Sequence, residues 1–172
     1  MELLEKVVEG DQDAFEILFR QFQGFVYSWI VRIVRNQAAA EDLTVETFWR
    51  IWKSRRRMDP QKPFEPWARR IAVNLSIDYL KQLRYELPVS ETPSPPVDPA
   101  LRKEERDQIE RAFRTLPADL RAVATLALIE ELSQQEVAEA LSIPLGTVKT
   151  RLFRASRLLR RKLSGLRVGN DR

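Results

Sequence analysis

Eight cations lie between Leu145 and Val168 (Lys149, Arg151, Arg154, Arg157, Arg160, Arg161, Lys162 and Arg167) with no acid among them. Charge of one sign spaced along a segment makes a surface for a polyanion, and the chemistry it offers is recognition of phosphates and base edges. A solvated helix surface normally mixes both signs. Between the cations, Val148, Leu152, Ala155, Leu159 and Leu163 follow at steps of four, three, four and four. That is one apolar helical stripe, which would bury and turn the charges outward. Upstream, Ser133 and Glu136 fit a capping box, and Val137, Ala138 and Leu141 give a short helix its buried face. Pro144 then breaks the chain, since proline disfavours helix in the residue before it and suits a first helical turn. A short capped helix, a tight turn and a cationic helix make the layout of a helix-turn-helix whose second helix enters the DNA major groove.

Two further stretches carry surface chemistry. Ala40 to Trp52 (AEDLTVETFWRIW) sets Glu41, Asp42 and Glu46 near one edge of a helix and Phe48, Trp49 and Trp52 at its end. Phe48 and one tryptophan suit core packing. Burying both tryptophans in so polar a helix is harder, and an exposed tryptophan beside charge is typical of a protein interface. Phe64 to Lys81 interleaves Phe64, Trp67 and Tyr79 with Arg69, Arg70, Asn74 and Lys81, just after Lys53-Ser-Arg-Arg-Arg57. Rings between cations suit single-stranded nucleic acid: bases stack at roughly 1–3 kcal/mol each, and the cations hold phosphates in a salt-dependent way. The same four-residue spacing also fits the core of a helical bundle.

Composition removes other classes of function. The 172 residues contain neither cysteine nor histidine, which excludes disulfides, Cys/His zinc sites, thiol nucleophiles and imidazole bases. No catalytic residue, metal site or cofactor is expected. The overall charge of +4 is mild, but its distribution is not: residues 1–49 hold nine acids against four cations, while 145–168 hold eight cations and no acid. No apolar run approaches bilayer length and the N-terminus lacks a basic signal-peptide start, so a cytoplasmic protein without membrane insertion is expected.

The elements that must position these surfaces are all helical, given five glycines and no hairpin signature. Phe15, Leu18, Phe19, Phe22, Val26, Trp29, Ile30 and Ile33 predict one long helix ending at Asn36. A second runs from about Ala38 to Arg56, and a third from Phe64 to Leu83 after the loop Met58–Pro63. Residues 86–99 hold five prolines in fourteen positions, which excludes continuous helix and reads as a linker able to span roughly 40 Å. Helices over 101–115 and 116–131 then lead into the helix-turn-helix. The expected organisation is all-α: a domain over residues 1–85, a linker over 86–99 and a second domain over 100–172.

Taken together, these stretches resemble bacterial sigma factors of the extracytoplasmic-function group over nearly the whole chain. AEDLTVETFWRIW is similar to the family's segment that docks on the coiled-coil clamp of the RNA polymerase β′ subunit. FEPWARRIAVNLSIDYL is similar to the segment that melts the −10 promoter element, and LSQQEVAEALSIPLGTVKTRLFRA to the −35-reading helix-turn-helix. The resemblance implies that Glu41, Asp42, Val45, Glu46, Phe48, Trp49 and Trp52 face core polymerase. It implies that Phe64, Trp67 and Asn74 lie near the melted −10 strand, with Arg70 and Lys81 on its phosphates. In the second domain it gives Gly146 and Thr147 a phosphate-approaching turn, Lys149, Thr150, Phe153 and Arg154 the base edges, and Arg151 and Arg157 the DNA backbone. It further implies an anti-sigma factor as partner, one that could hold the protein at the membrane. Two positions depart from the family pattern: Val45 replaces a usual glutamine and Glu131 a frequent glycine. The other class of function compatible with the pattern is a helix-turn-helix regulator that binds duplex operator DNA without polymerase.

Overall fold

The computed structural model describes residues 2–86 and 103–164, and within them every regular element is a helix. The first half comprises α1 (Glu2–Glu9), α2 (Gln12–Val34), α3 (Gln37–Ser54) and α4 (Phe64–Glu86), with a 3-10 turn at Arg55–Arg57. The second comprises α5 (Lys103–Arg114), α6 (Ala118–Ala124), α7 (Gln134–Leu141) and α8 (Leu145–Leu163). The proline-rich stretch expected to be a linker lies almost wholly outside the described residues.

Local chemistry sets the boundaries. The Asp11 carboxylate accepts the Ala14 N–H at 2.9 Å and starts α2. Asn36, expected as the end of α2, is instead the N-cap of α3, its side-chain oxygen accepting the Ala39 N–H at 3.0 Å. Arg35 ends α2 in the left-handed region at φ 60°. Helix α1 was not foreseen. It is one eight-residue segment, too short for periodicity to stand out, and it is held by Val7 and its neighbours Leu3, Leu4 and Val8 against the first core. The segment expected as one helix over 116–131 is α-helical only to Ala124. A π-helical turn then spans Thr125–Ile129 and closes with the Glu130 N–H on the Thr125 carbonyl at 3.0 Å.

Helix α4 organises both halves because it has three working sides. Phe64, Ala68 and Ala72 enter a core with Leu18, Val26 and Ile30 of α2 and Phe48 and Ile51 of α3. Val73, Ile77 and Leu80 enter a different core, with Ala122 and Val123 of α6, Leu126, and Val137 and Leu141 of α7. The remaining side, Trp67, Arg70, Asn74, Asp78 and Lys81 at steps of three, four, four and three, stays half-buried or exposed, with Trp67 at its edge packed partly against the first core. Across the second core the Arg32 guanidinium pairs with the largely buried carboxylate of Glu130. Arg114 donates to the Arg35 carbonyl at 3.2 Å and so caps α2 from α5. The two halves therefore pack directly on one another through α4, α6 and α7.

Glu131 adopts φ 55°, the left-handed conformation in which glycine carries no Cβ penalty. The residue that departs from the family pattern thus occupies a position that favours glycine. Glu131→Gly is expected to stabilise the protein by about 1 kcal/mol, read as a higher midpoint in a thermal melt. An unchanged or lower midpoint would show that the backbone strain is offset elsewhere.

Candidate nucleic-acid and protein interfaces

The helix-turn-helix is built as its sequence dictates. Ser133 Oγ accepts the Glu136 N–H while the Glu136 carboxylate accepts the Ser133 N–H at 2.8 Å, closing the capping box. The Ser133 hydroxyl, donating to the exposed Glu136 carboxylate at 2.7 Å, and after it the Ser133 N–H hold that carboxyl's pKa below the ordinary value. Ser142 turns the chain in the left-handed region at φ 55°, and Pro144 precedes α8 with an extended backbone. Val148, Ala155 and Leu159 are buried, with Leu152 and Leu163 packed beside them. That anchoring leaves Lys149, Thr150, Phe153, Arg154 and Arg157 exposed on the opposite side. Phe153, 69% exposed, is a large apolar ring with no core to enter.

Electrostatically α8 is one-sided. Arg151 is half-buried and pairs with Asp119, whereas no ion pair forms at the other cations of α8 among the described residues. The start of the helix has no side-chain cap, so its first N–H groups are available to an anion. Gly146 adds no bulk there, and a Cβ on it would meet nothing within 4 Å. Thr150 spends its hydroxyl proton on the Gly146 carbonyl at 3.0 Å, leaving the oxygen's lone pairs to accept from outside.

On α4 the expected strand-binding residues separate by burial. Trp67, Arg70, Asn74 and Lys81 share the open side. Phe64 does not: it is 3% exposed, packed against Phe22 at 4.7 Å, and touches Trp67 at 6.3 Å. It can support the tryptophan but cannot meet a base. The cause is its position at the first turn of α4, facing α2. Lys81 Nζ is 3.3 Å from Asp119 of α6.

Helix α3 separates in the same way. Glu41, Asp42, Val45, Glu46 and Trp49 lie along one outer side, with Val45 65% and Trp49 50% exposed. Lys53 covers one face of the Trp49 ring at 4.7 Å. Phe48, 3% exposed, packs on Phe19 and Phe15 and has no surface to offer a partner. Trp52 is half-buried between Phe15, 4.9 Å away, and the Arg55 guanidinium, 4.2 Å from its ring. Beside this face an open groove between α2 and α3 is lined by Phe25, Gly24, Tyr27, Thr44 and Val45. Phe25, 60% exposed, was not named as a surface residue, although its place outside the apolar stripe of Phe22, Val26 and Trp29 is the signal that could have found it.

Comparison with known proteins accounts for both halves. The family description Sigma-70 region 2 matches residues 18–85, and Sigma-70, region 4 matches residues 106–159. The chain is 32% identical to the ECF RNA polymerase sigma factor SigW of Bacillus subtilis (strain 168), over 95% of this chain and 96% of that one. It is 31% identical to the ECF RNA polymerase sigma-E factor of Escherichia coli (strain K12), over 95% and 94%. Among solved structures it is similar to CnrH, determined in complex with the cytosolic domain of CnrY, with a TM-score of 0.68 at 22% identity over 94% of this chain and 95% of that one. It is similar also to the sigma factor RpoE of Bartonella quintana, determined in complex with the anti-sigma factor NepR, with a TM-score of 0.70 at 18% identity over 89% and 98%. At those identities the structural likeness speaks for the fold.

Proposed function

This chain belongs to the extracytoplasmic-function group of the sigma-70 family, and from that premise we propose how its surfaces divide the work of starting transcription. The protein directs RNA polymerase to promoters. The outer side of α3, with Glu41, Asp42, Val45, Glu46 and Trp49, docks on the β′ clamp of core polymerase, and Phe48 and Trp52 hold that side in place from beneath. The open side of α4 takes the separated −10 strand: Trp67 and Asn74 meet unpaired bases while Arg70 and Lys81 hold phosphates. Stacked bases outside the duplex favour the opened state, against a cost of a few kcal/mol per base removed. The exposed side of α8 reads the −35 duplex, with Lys149, Thr150, Phe153 and Arg154 at base edges and Gly146, Thr147, Arg151 and Arg157 on the backbone. Arginine or lysine suits guanine O6 and N7, and Phe153 suits a thymine methyl. Bond chemistry belongs to polymerase, and no metal or cofactor is assigned to this chain.

The observation that carries this reading is α8 itself: a helix anchored by one apolar seam whose opposite side is exposed and cationic. Each half offers a small contact set, so neither should hold a promoter firmly alone. Polymerase joins them and makes the second contact effectively intramolecular, at effective concentrations approaching millimolar. A gel shift on promoter DNA should therefore show weak binding by the chain alone and firm binding once core enzyme is added. Firm binding without core would favour a polymerase-independent regulator instead.

Asp42→Arg is expected to weaken association with core polymerase by about tenfold or more, since reversing a charge at a complementary interface replaces attraction with repulsion. A pull-down of undiminished strength would count against α3 as the docking helix. The proposed setting is cytoplasmic, and no helix among the described residues is long and apolar enough to cross a membrane. An anti-sigma factor is proposed as the regulating partner, in line with the complex of the Bartonella quintana relative.

A further inference from the structure

Arg35 closes α2 and is only 5% exposed, yet its Nε is buried without a hydrogen-bond partner. The Phe113 ring of α5 lies 5.2 Å from its guanidinium, and no ion pair among the described residues neutralises it. Two further guanidiniums converge there. Arg114 of α5 donates to the Arg35 carbonyl at 3.2 Å. Arg121 of α6 donates in turn to the Arg114 carbonyl at 2.5 Å and the Leu116 carbonyl at 3.2 Å, while its own Nε is also buried and unpartnered. The buried carboxylate of Glu110 is engaged by Arg114 at 2.7 Å, and Arg32, which also faces Arg35, is engaged by Glu130. Arg35 and Arg121 therefore face each other with no carboxylate of their own among the described residues.

A buried cation without counter-charge carries a heavy desolvation cost, and a like charge beside it adds repulsion. The protonation balance shows the same excess. Burial holds Arg35 below the ordinary arginine range, Glu110 opposes that, and Arg114 and Arg32 add to it. Arg121 is pushed down to about 10, by burial first and then by Arg35 and Arg114. Apolar side chains of similar length would fill the same space at less cost. We propose that Arg35 and Arg121, with Arg114 at the rim, form a binding site for a doubly charged phosphate group, held between the end of α2, α5 and α6. Guanidinium forks match phosphate oxygens in pairs, and two of them balance a dianion. A DNA backbone phosphate is the wrong source, because it carries one charge and its strand cannot follow it to a buried Arg35. A free phosphate or the terminal phosphate of a small ester suits the site, which the 26% exposed side chain of Arg114 opens to solvent. The site is independent of the roles proposed for α4 and α8.

The test is isothermal titration of the full chain with inorganic phosphate, against chloride at equal ionic strength, with glycerol phosphate as the ester probe. The wild type should show one saturable site per chain. Tighter binding of glycerol phosphate supports an ester as the source, and tighter binding of inorganic phosphate supports the free ion. Arg35→Gln and Arg121→Gln should each weaken binding by about tenfold or more, the scale of a hydrogen bond to a charged group. Arg35→Lys keeps the charge but loses the fork, and should fall between. In chloride Arg35→Gln should melt above the wild type, since an uncompensated charge has left the interior, and phosphate should then raise its midpoint less than the wild type's. Lys149→Ala with Arg154→Ala, which strips cations from the exposed side of α8, should bind phosphate as the wild type does. No saturable site in the wild type, undiminished affinity in folded Arg35→Gln and Arg35→Lys, or loss of binding in the α8 variant would overturn the site.

Discussion

Replacing Lys149 and Arg154 together with alanine should reduce −35-dependent transcription by about a hundredfold or more, because each base-edge contact by a long cationic side chain discriminates by roughly 1–3 kcal/mol. Both side chains are exposed and neither supports the fold: the seam beneath them is Val148, Ala155 and Leu159. The double variant should therefore melt as the wild type does and bind core polymerase undiminished. The measurement is run-off transcription from a −35-dependent promoter beside a core-binding assay. Normal transcription by the double variant would mean that α8 is not the reading helix. Loss of core binding would mean that the damage lies in the fold.

What the sequence disclosed depends on how many neighbours a helix has. Helix α8 has one buried side, so its apolar period and its charges separate cleanly along the chain, and the Ser133–Glu136 capping box marks the helix before it. Helix α4 is buried on two sides, against α2 and α3 through Phe64, Ala68 and Ala72 and against α6 and α7 through Val73, Ile77 and Leu80. Two apolar stripes side by side blur a single period, and the contact between the halves was invisible for that reason. The acids that matter there, Asp119 and Glu130, are indistinguishable in sequence from solvated surface charge; their partners Lys81 and Arg32 lie far away along the chain. Aromatic residues were the hardest to place. Phe64 and Phe48, which the family resemblance assigned to surfaces, are core, as the residue pattern by itself indicated for Phe48, and Phe25, which stands outside the apolar stripe of α2, is exposed. Residue type fixes how much apolar area a ring brings, while the neighbouring helices decide whether it is covered.

Trp49→Ala and Trp52→Ala, three residues apart on one helix, should fail in opposite ways. Trp49 is half exposed and its sole ring contact among those described is the Lys53 ammonium lying over one face. Removing it should leave the thermal midpoint nearly unchanged but cost core-polymerase binding about 2 kcal/mol or more, the scale of an aromatic hot spot, which is roughly a thirtyfold loss of affinity. Trp52 bridges Phe15 of α2 and the Arg55 guanidinium that follows α3. Truncating it opens a gap between α2 and α3 and should cost about 2–4 kcal/mol of stability, somewhat less than a fully buried aromatic since one edge is wet. Its binding defect should then track the unfolded fraction and recover on cooling, while that of Trp49→Ala should not. Equal loss of stability in both variants would place Trp49 in the core, and undiminished polymerase binding by Trp49→Ala would move the docking surface off this side of α3, toward the Phe25 groove.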